Sequence, residues 1–389
     1  MNTFPITLLS LLADLVFAAE SQRPYATPLV PFTTTNTSQT LPSVTRRPFT
    51  TPLVPLPPLT SNKLHSGSAT TSNPKVPANT NSPKAPLNVA YIAYGYQDQW
   101  AGNTDTSKPP IDILPLAQRN STVDALFINP CSLESQTPSA PSCHGWPFPV
   151  SQYWTQIWPM YQEVQAQGIL LSASFGGFGS DTFHLLAQDW EKYYPPIPTF
   201  LRQNKFDGID LDIEPSFENS YVPHLSLALQ LVNSLRNDMG PEFLITLCPI
   251  DSDMYEFRNR KFSGFSTWEL DQYATTRDSH GNAMKSINFF TPQFYEGGGE
   301  PSVGYYEELI GNGGWDPRRV AMLVLTSHDY RGYMNLSEIE GMAKGLRERY
   351  GDGTFGGVGG YEYARAGETD GVERWEWYEQ IGEALGLAP

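Results

Sequence analysis

Eight short apolar runs, separated by amphipathic segments, constrain the fold of this chain more than any other feature of its sequence. Each run has the length of a buried strand, and the segments between the runs repeat apolar side chains at helical spacing. Strands that alternate with helices pair in parallel through right-handed crossovers, and eight of them close into a barrel. The sequence therefore predicts an α/β fold, a (β/α)8 TIM barrel over residues 87–389, with its chemistry at the carboxyl ends of the strands. The predicted strands are 88–94, 125–129, 169–174, 208–214, 243–249, 287–295, 320–326 and 357–361.

Two of the amphipathic segments predict helices that bury one face in the core. Gly240 follows the first segment and predicts where that helix ends, because glycine adopts the backbone conformations that terminate helices. The apolar positions are Leu225, Ala228, Leu229, Val232 and Leu235 in the first segment, and Trp375, Tyr378, Ile381 and Leu385 in the second.

The first 86 residues differ in composition from the predicted barrel. Residues 1–19 contain an apolar run that ends in small residues near Ala18, and this pattern predicts a signal peptide. In residues 20–86, Ser, Thr and Pro make up 34 of the last 66 positions. So little apolar surface cannot offset the entropy of ordering the chain, and we predict a disordered Ser/Thr/Pro-rich stalk. We expect secretion to the extracellular space or cell wall; the alternative for residues 1–19 is a buried or disordered amino terminus.

The charge of the chain argues against two classes of partner. The sequence has 41 Asp and Glu against 25 Lys and Arg, which gives a formal net charge of −16. Nucleic acids and anionic lipid surfaces are bound through basic patches, so we expect neither as a partner. No apolar run reaches eighteen residues, so no transmembrane helix is expected. We expect a monomer. We also expect no metal or cofactor, because the six His lack metal-ligand spacing and no phosphate-binding glycine loop is present.

The fourth predicted strand places three carboxyl groups on one face. Side chains alternate along a strand, so Asp210, Asp212 and Glu214 point to one side and the apolar residues between them to the other. If the apolar side meets the helices, the acids point into the barrel, where they cannot all ionise cheaply. A Glu of raised pKa at the open end suits a general acid that protonates a leaving oxygen. The alternatives are a solvated acidic strand or a calcium site, although calcium loops require a turn-forming spacing that this strand lacks.

The stretch from Asp207 to Glu214 resembles the active-site signature of glycoside hydrolase family 18, which contains chitinases and endo-β-N-acetylglucosaminidases. The family pattern Asp-Gly-x-Asp-x-Asp-x-Glu is matched at every fixed position. Two further family motifs occur in the family's order. The Ser-x-Gly-Gly motif of the third strand is matched by residues 174–177, and the Gln-Phe-Tyr motif of the sixth strand by residues 293–295. The resemblance covers roughly residues 87–389.

The resemblance implies a substrate-assisted, retaining mechanism, in which no second carboxylate attacks the sugar. Glu214 would act as general acid and then as base, while the 2-acetamido oxygen of the substrate attacks the anomeric carbon. Asp212 would bind the acetamido N–H, and Asp210 would share a proton with Asp212. Tyr295 would donate its hydroxyl to the acetamido carbonyl. The residues that would line or support the same pocket are Gln293, Tyr361, Ser174, Gly176 and Gly177.

Tyr361 leaves the choice of substrate open. Many family 18 chitinases place Trp at this point of the eighth strand, as the floor of the subsite before the cut. A Tyr there is similar to the endo-β-N-acetylglucosaminidases of the family, which cut the core of N-glycans. We expect a chitinase that cleaves β-1,4 bonds next to N-acetylglucosamine in chitin or related oligosaccharides, with N-glycans as the alternative substrate. A non-catalytic chitin-binding lectin is a third interpretation, but such relatives typically lack the acid that Glu214 supplies.

The cysteines and several aromatic residues allow further predictions. Cys131 and Cys143 bracket a Pro/Ser-rich loop and are predicted to pair, whereas Cys248 lies in an apolar run and is predicted to be a buried free thiol. Aromatic residues near the predicted strand ends are candidate sugar platforms, and ordinary packing is the alternative for each. These residues are Tyr94, Tyr96, Trp100, Phe178 and Trp315.

Overall fold

The computed structural model describes most of the predicted barrel. The residues it describes are 82–97, 107–118, 121–137, 140–216, 221–255, 262–278, 280–296, 301–328 and 330–387. The predicted signal peptide, the predicted stalk up to residue 81, and Trp100 lie outside these residues. The domain boundaries at residues 19 and 86 therefore stay predictions.

Eight parallel strands correspond one to one with the eight predicted runs. They are β1 (Leu87–Ile92), β2 (Ala125–Ser132), β3 (Leu170–Gly176), β4 (Gly208–Asp212), β5 (Leu244–Leu247), β6 (Phe289–Phe290), β7 (Met322–Leu325) and β8 (Gly357–Tyr361). Neighbouring strands pair in the order β6-β5-β4-β3-β2-β1-β8-β7. Parallel bridges from Phe290 to Val320 and from Gln293 to Leu323 then join β6 to β7 and close the sheet. The predicted (β/α)8 barrel is confirmed.

The sixth strand differs most from its prediction. Residues 287–295 were expected to be continuous, but only Phe289–Phe290 form a ladder with β5. Pro292 has no N–H to contribute to a ladder, although its carbonyl still accepts a hydrogen bond from Leu323 N at 3.1 Å. β4 is also shorter than predicted and ends at Asp212. Glu214 therefore lies two residues beyond the ladder, at the carboxyl-end mouth of the barrel.

The helices follow the strands in sequence. They are α1 (Pro115–Gln118), α2 (Gln152–Ala166), α3 (Thr182–Gln188), α4 (Trp190–Tyr193), α5 (Pro196–Gln203), α6 (Leu225–Met239), α7 (Thr267–Tyr273), α8 (Val303–Gly313), α9 (Leu336–Tyr350) and α10 (Arg374–Leu385). The two predicted helices are α6 and α10, and α6 ends at Gly240 as its sequence indicates. None of the described helices combines the length and the apolarity needed to cross a membrane.

The barrel has an inner and an outer apolar core. The inner core includes Tyr91, Phe127, Cys248 and Phe289, whose side chains fill the centre of the sheet. The outer core lies between the strands and the helices and contains larger groups such as Trp154. This division means that a polar residue on the inner face of a strand lies either among apolar side chains or at the open mouth.

Both cysteine predictions are confirmed. A short hairpin of Ser142–Cys143 and Trp146–Pro147 pairs with the end of β2, and a disulfide joins Cys131 to Cys143 across that pairing. Cys248, which follows β5, is a buried free thiol.

Candidate active site

Three carboxyl groups at the end of β4 form what we call the acid row: Asp210, Asp212 and Glu214. Ile209 and Leu211 pack in the outer core, so strand alternation turns the acids inward. Asp210 is completely buried, whereas Asp212 and Glu214 keep 7% and 6% of their surface exposed. A ligand at the mouth of the barrel can therefore reach the second and third acids but not the first.

Asp210 is held by three hydroxyl groups from other strands. Its Oδ2 accepts hydrogen bonds from Tyr91 Oη at 3.0 Å and Ser174 Oγ at 2.8 Å. Its Oδ1 accepts one from Thr246 Oγ1 at 2.6 Å. Burial raises the pKa of Asp210 to about 6, and the three donors work against that rise because they favour the charged form. Asp210 is thus fixed in place at the base of the site.

Asp212 and Glu214 form a buried pair that the amide of Gln293 bridges. Gln293 Nε2 lies 3.2 Å from Asp212 Oδ1, 3.0 Å from Glu214 Oε1 and 3.2 Å from the carbonyl oxygen of Cys248. The carboxyl group of Asp212 also hydrogen-bonds that of Glu214. The charge of Asp210 also raises the pKa of Asp212, so the two acids that the family resemblance pairs act on each other. Asp212 is thus coupled to Glu214 as well as to Asp210.

Burial raises both pKa values in the pair, and repulsion from Glu214 adds to the rise at Asp212. The pKa of Asp212 lies well above its ordinary value, chiefly through burial and then through the charge of Glu214. Burial is also the main cause of the raised pKa of Glu214, which the Gln293 hydrogen bond opposes. Two buried acids in contact retain a proton that isolated carboxyl groups release. The pair can therefore donate a proton, and take one back, at the mouth of the barrel.

The Ser-x-Gly-Gly segment supports the acid row from β3. A Cβ on Gly176 would lie 2.1 Å from the main-chain oxygen of Asp212, and Gly176 has a φ of +116°, so only glycine fits here. Gly177 N donates to the same oxygen at 2.9 Å. Ser174 and Gly176 are both buried beside the acids, which favours the supporting role among the two that the resemblance implies.

Aromatic side chains line the open side of the acid row. The rings of Tyr295 and Tyr361 are both half-buried and stack with centroids 6.0 Å apart. Tyr94 is half-buried and close enough to perturb the Tyr361 hydroxyl. Phe178 is 47% exposed beside Phe262, with ring centroids 5.8 Å apart. These rings remain candidates for sugar contact.

Two of the candidate platforms are core residues. Tyr96 is buried and donates its hydroxyl to Gln156 Oε1 at 2.8 Å. Trp315 is also buried, and its indole Nε1 donates to the carbonyl of Met254 at 3.0 Å. Ordinary packing, the alternative for each, applies to both residues.

The motifs did not identify three polar residues that hold the acids. Tyr91 and Thr246 bind Asp210 directly, and Asn129 donates from Nδ2 at 3.1 Å to Ser174 Oγ, which in turn donates to Asp210. Each of them could have been found as a polar side chain on the inner face of an apolar strand, because a buried polar group requires a hydrogen-bond partner. Among the described residues, no group of three or more His, Cys, Asp and Glu side chains could hold a metal ion.

Comparison with known proteins relates the fold to a family. No protein-family model and no curated protein matches this sequence. A fungal endo-β-N-acetylglucosaminidase of glycosyl hydrolase family 18 is 24% identical with a TM-score of 0.62, covering 77% of this chain and 98% of its own. Chitinase ChiC from Aspergillus fumigatus is 23% identical with a TM-score of 0.61, covering 77% of this chain and 99% of its own.

A third solved structure has a different activity. Human YKL-39, described as a pseudo-chitinase that retains chitooligosaccharide binding, is 12% identical with a TM-score of 0.53. The match covers 77% of this chain and 99% of that protein. This chain thus shares its barrel fold with solved structures of glycoside hydrolase family 18.

Proposed function

We propose that this protein is a glycoside hydrolase of the family 18 type, which cleaves the bond next to an N-acetylglucosamine unit by substrate-assisted, retaining catalysis. The observation that carries the proposal is the Asp212–Glu214 pair, which retains a proton at the mouth of the barrel and is bridged by Gln293. Raised pKa values at a cleft are typical of catalytic acids. The three sequence motifs and the shared fold support the same assignment.

Each exposed member of the site has a step to perform. Glu214 gives its proton to the glycosidic oxygen, and the leaving sugar departs as an alcohol. The acetamido oxygen of the retained sugar bonds to the anomeric carbon as that C–O bond breaks. Asp212 accepts a hydrogen bond from the acetamido N–H and offsets the positive charge of the resulting oxazolinium ion. Tyr295 donates its hydroxyl to the acetamido oxygen and aligns it for attack.

The second half of the cycle restores the enzyme. Glu214, now a carboxylate, removes a proton from water as the water attacks the anomeric carbon and reopens the ring. Two successive inversions leave the anomeric configuration unchanged. The raised pKa of Glu214 suits both roles, since a general acid and base works best when its pKa is close to the working pH.

We propose chitin and its oligomers as the substrate, with the N-glycan core as the second candidate. The chitinase assignment rests on Gln293 and Tyr295, which the sequence places in the Gln-Phe-Tyr motif and which lie at the acid row. Tyr361 favours the second candidate, because a tyrosine floor is similar to the glycan-cutting members of the family. A lectin is disfavoured, because Asp212, Glu214 and Tyr295 are all in place.

Product analysis tests the proposal. Chitotetraose and chitopentaose are incubated with the protein beside a high-mannose glycoprotein, and products are separated with resolution of the anomers. We expect cut oligomers of retained configuration, and no products with Glu214→Gln. Release of intact glycans without oligomer cleavage would select the second candidate. Tight binding of the oligomers, without cleavage of either the oligomers or the glycoprotein, would establish a lectin.

The organisation of the whole chain is proposed on sequence grounds. We propose a secreted monomer with residues 1–19 removed, residues 20–86 as the stalk, and residues 87–389 as the catalytic domain. Amino-terminal sequencing of protein from the culture medium tests the cleavage site. Deleting residues 21–81 is expected to leave the melting temperature and the rate on soluble oligomers unchanged, because this part of the stalk has no core to contribute. Ser82 is kept in that variant, because its hydroxyl hydrogen-bonds Asn288.

A further inference from the structure

Buried side chains from three other parts of the chain hydrogen-bond the backbone at the end of β1 and just after it. Ile92 O accepts a hydrogen bond from His144 Nε2 at 3.0 Å. Ala93 N donates to Glu362 Oε2 at 3.4 Å, and Gly95 N donates to Tyr153 Oη at 2.8 Å. Tyr94, which is half-buried and acts on the Tyr361 hydroxyl through its charge, lies between these anchored positions in the chain. We call His144, Tyr153 and Glu362 the β1 clamp.

The direction of each hydrogen bond between His144, Tyr153 and the β1 backbone follows from which atoms can only accept. Ile92 O can only accept, so Nε2 of His144 carries the hydrogen. Burial lowers the pKa of His144 to about 4, which keeps the ring neutral and leaves Nδ1 as an acceptor. Tyr153 Oη, at 2.8 Å from Nδ1, therefore donates to His144 and accepts from Gly95 N. Each bond in this chain has one defined direction.

Glu362 is the member that joins two strands. It follows Tyr361 directly, and its Oε2 accepts hydrogen bonds from Ala364 N at 3.0 Å as well as from Ala93 N. Its main-chain carbonyl accepts from Thr326 Oγ1 at 2.7 Å. The carboxyl group therefore ties the end of β8 to the end of β1, at the two points that carry Tyr361 and Tyr94.

This arrangement is costly for the fold. Glu362 is 5% exposed, and its Oε1 is buried without a hydrogen-bond partner among the described residues. Burial raises the pKa of Glu362 to about 7. A buried acid with one unpartnered oxygen destabilises a protein relative to a fully satisfied group. An apolar side chain would avoid this cost, so the acid is explained by what its Oε2 holds.

We propose that Glu362 is a positioning residue for the sugar-stacking floor, which ties the end of β8 to the end of β1 and so holds Tyr361 and Tyr94 in register beside the acid row. The inference rests on the proposed function, because the floor has a role only if a sugar binds there. Glu362 acts through the two tyrosines and touches no substrate itself.

The test uses three substitutions of one residue in the full-length protein. Glu362→Leu removes the acceptor at similar volume, Glu362→Gln keeps an acceptor oxygen, and Glu362→Asp keeps the charge but is too short to reach Ala93 N. The matched control is Asp124→Leu. The carboxyl group of Asp124 accepts a hydrogen bond from Asn88 N at 2.8 Å, at the amino end of β1. Burial raises the pKa of Asp124 to about 6.

Steady-state kinetics on chitotetraose supply the first readout. Glu362→Leu is expected to raise KM about three- to tenfold with a smaller change in kcat, which is the equivalent of losing one stacking contact. Glu362→Asp is expected to fall between Leu and wild type, and Glu362→Gln to restore KM to within about twofold, because it still accepts the backbone N–H. Asp124→Leu is expected to lower the melting temperature and leave KM unchanged.

Amide hydrogen exchange supplies a second readout that does not depend on catalysis. The peptides around Ala93 and Ala364 are expected to exchange faster in Glu362→Leu and at the wild-type rate in Glu362→Gln. A folded Glu362→Leu or Glu362→Asp variant with wild-type KM and wild-type exchange would overturn the inference. An equal rise in KM for Asp124→Leu would also overturn it, because general destabilisation would then explain the effect.

The proposed function can fail separately. If wild-type protein neither cuts nor binds chitotetraose, the substrate assignment is wrong. The exchange experiment then still decides whether Glu362 holds the two strand ends together.

Discussion

Two clusters of buried charge lie at opposite ends of the barrel and are built in opposite ways. At the amino end, the carboxylate of Asp271 accepts hydrogen bonds from Arg319 Nη2 at 2.8 Å and Nη1 at 3.1 Å. Lys285 Nζ lies 3.2 Å from the same carboxylate. We call these three residues the ion cluster. At the carboxyl end, the acid row brings carboxyl groups together, and none of its hydrogen-bond partners among the described residues is a basic side chain.

The difference separates a group that stabilises the fold from one that we propose performs chemistry. In the ion cluster, opposite charges and carbonyl acceptors compensate the loss of water, so removing one partner leaves an isolated buried charge. In the acid row, like charges in a buried site raise pKa values and retain a proton. That proton costs stability at neutral pH and is the one that the proposed mechanism uses as its acid. Each of the predictions below changes one of the two clusters or the aromatic floor beside the acid row.

The largest expected effect is on activity, from Glu214→Gln. The amide is nearly isosteric but cannot deliver a proton, so we expect turnover to fall by about a hundred- to ten-thousand-fold. The free energy of unfolding at pH 8 is expected to rise, because one like charge leaves a buried pair. Oligomer hydrolysis and denaturant titration measure the two quantities. Turnover above about a tenth of wild type would exclude Glu214 as the general acid.

The largest expected effect on stability comes from the ion cluster. Asp271→Ala leaves Arg319 and Lys285 buried without their carboxylate, and we expect a loss of about 3–5 kcal/mol in unfolding free energy. The matched control is Asp316→Ala, which breaks the neighbouring surface pair with Arg318 at 2.6 Å and should cost less than about 1 kcal/mol. At low temperature, kcat of folded Asp271→Ala protein is expected to match wild type. Equal losses of stability in the two variants would contradict the comparison.

Asp210 of the acid row is expected to make the free energy of unfolding depend on pH. Its pKa is raised from 3.8 to about 6 in the folded state, so the folded protein binds this proton more tightly than the unfolded chain. The stability that it contributes is present below pH 3.8 and is lost as the pH rises through about 6, an effect of about 2–3 kcal/mol.

Asp210→Asn is expected to flatten the fall in unfolding free energy between pH 4 and pH 7. Urea titrations at intervals across that range measure the slope, which is the readout, because the absolute stability also changes with the loss of an acceptor oxygen. The Asp316→Ala variant serves as control and should keep the wild-type slope. An unchanged slope in Asp210→Asn would show that other groups produce the pH dependence.

The smallest expected effect concerns the floor beside the acid row. Tyr361→Trp enlarges the ring that would stack on the sugar, and we expect chito-oligomer binding to tighten by about 0.5–1.5 kcal/mol. Calorimetry in the Glu214→Gln background measures binding without turnover. Weaker binding would indicate that the Tyr295–Tyr361 stack has no room for the larger ring.

Much of the fold followed from local patterns. The eight runs and the helices α6 and α10 were predicted because a buried strand and an amphipathic helix leave their periods in the sequence. The inward direction of the acid row followed from alternation along a single strand. The Cys131–Cys143 bridge required only two cysteines at the ends of one loop. The shortness of β6 was missed, although Pro292 was the available signal.

The sequence by itself determined the barrel, the motif residues and the side of β4 on which the acids stand, because each depends on neighbours along the chain. Only the tertiary structure decided which groups touch them. Thr246 reaches Asp210 across 36 positions and Gln293 reaches Asp212 across 81, through the register of adjacent or nearby strands. The bond from Ala93 to Glu362 spans 269 positions and exists because β8 returns to β1 when the barrel closes. Such contacts leave no local period, since they arise from the packing of distant segments.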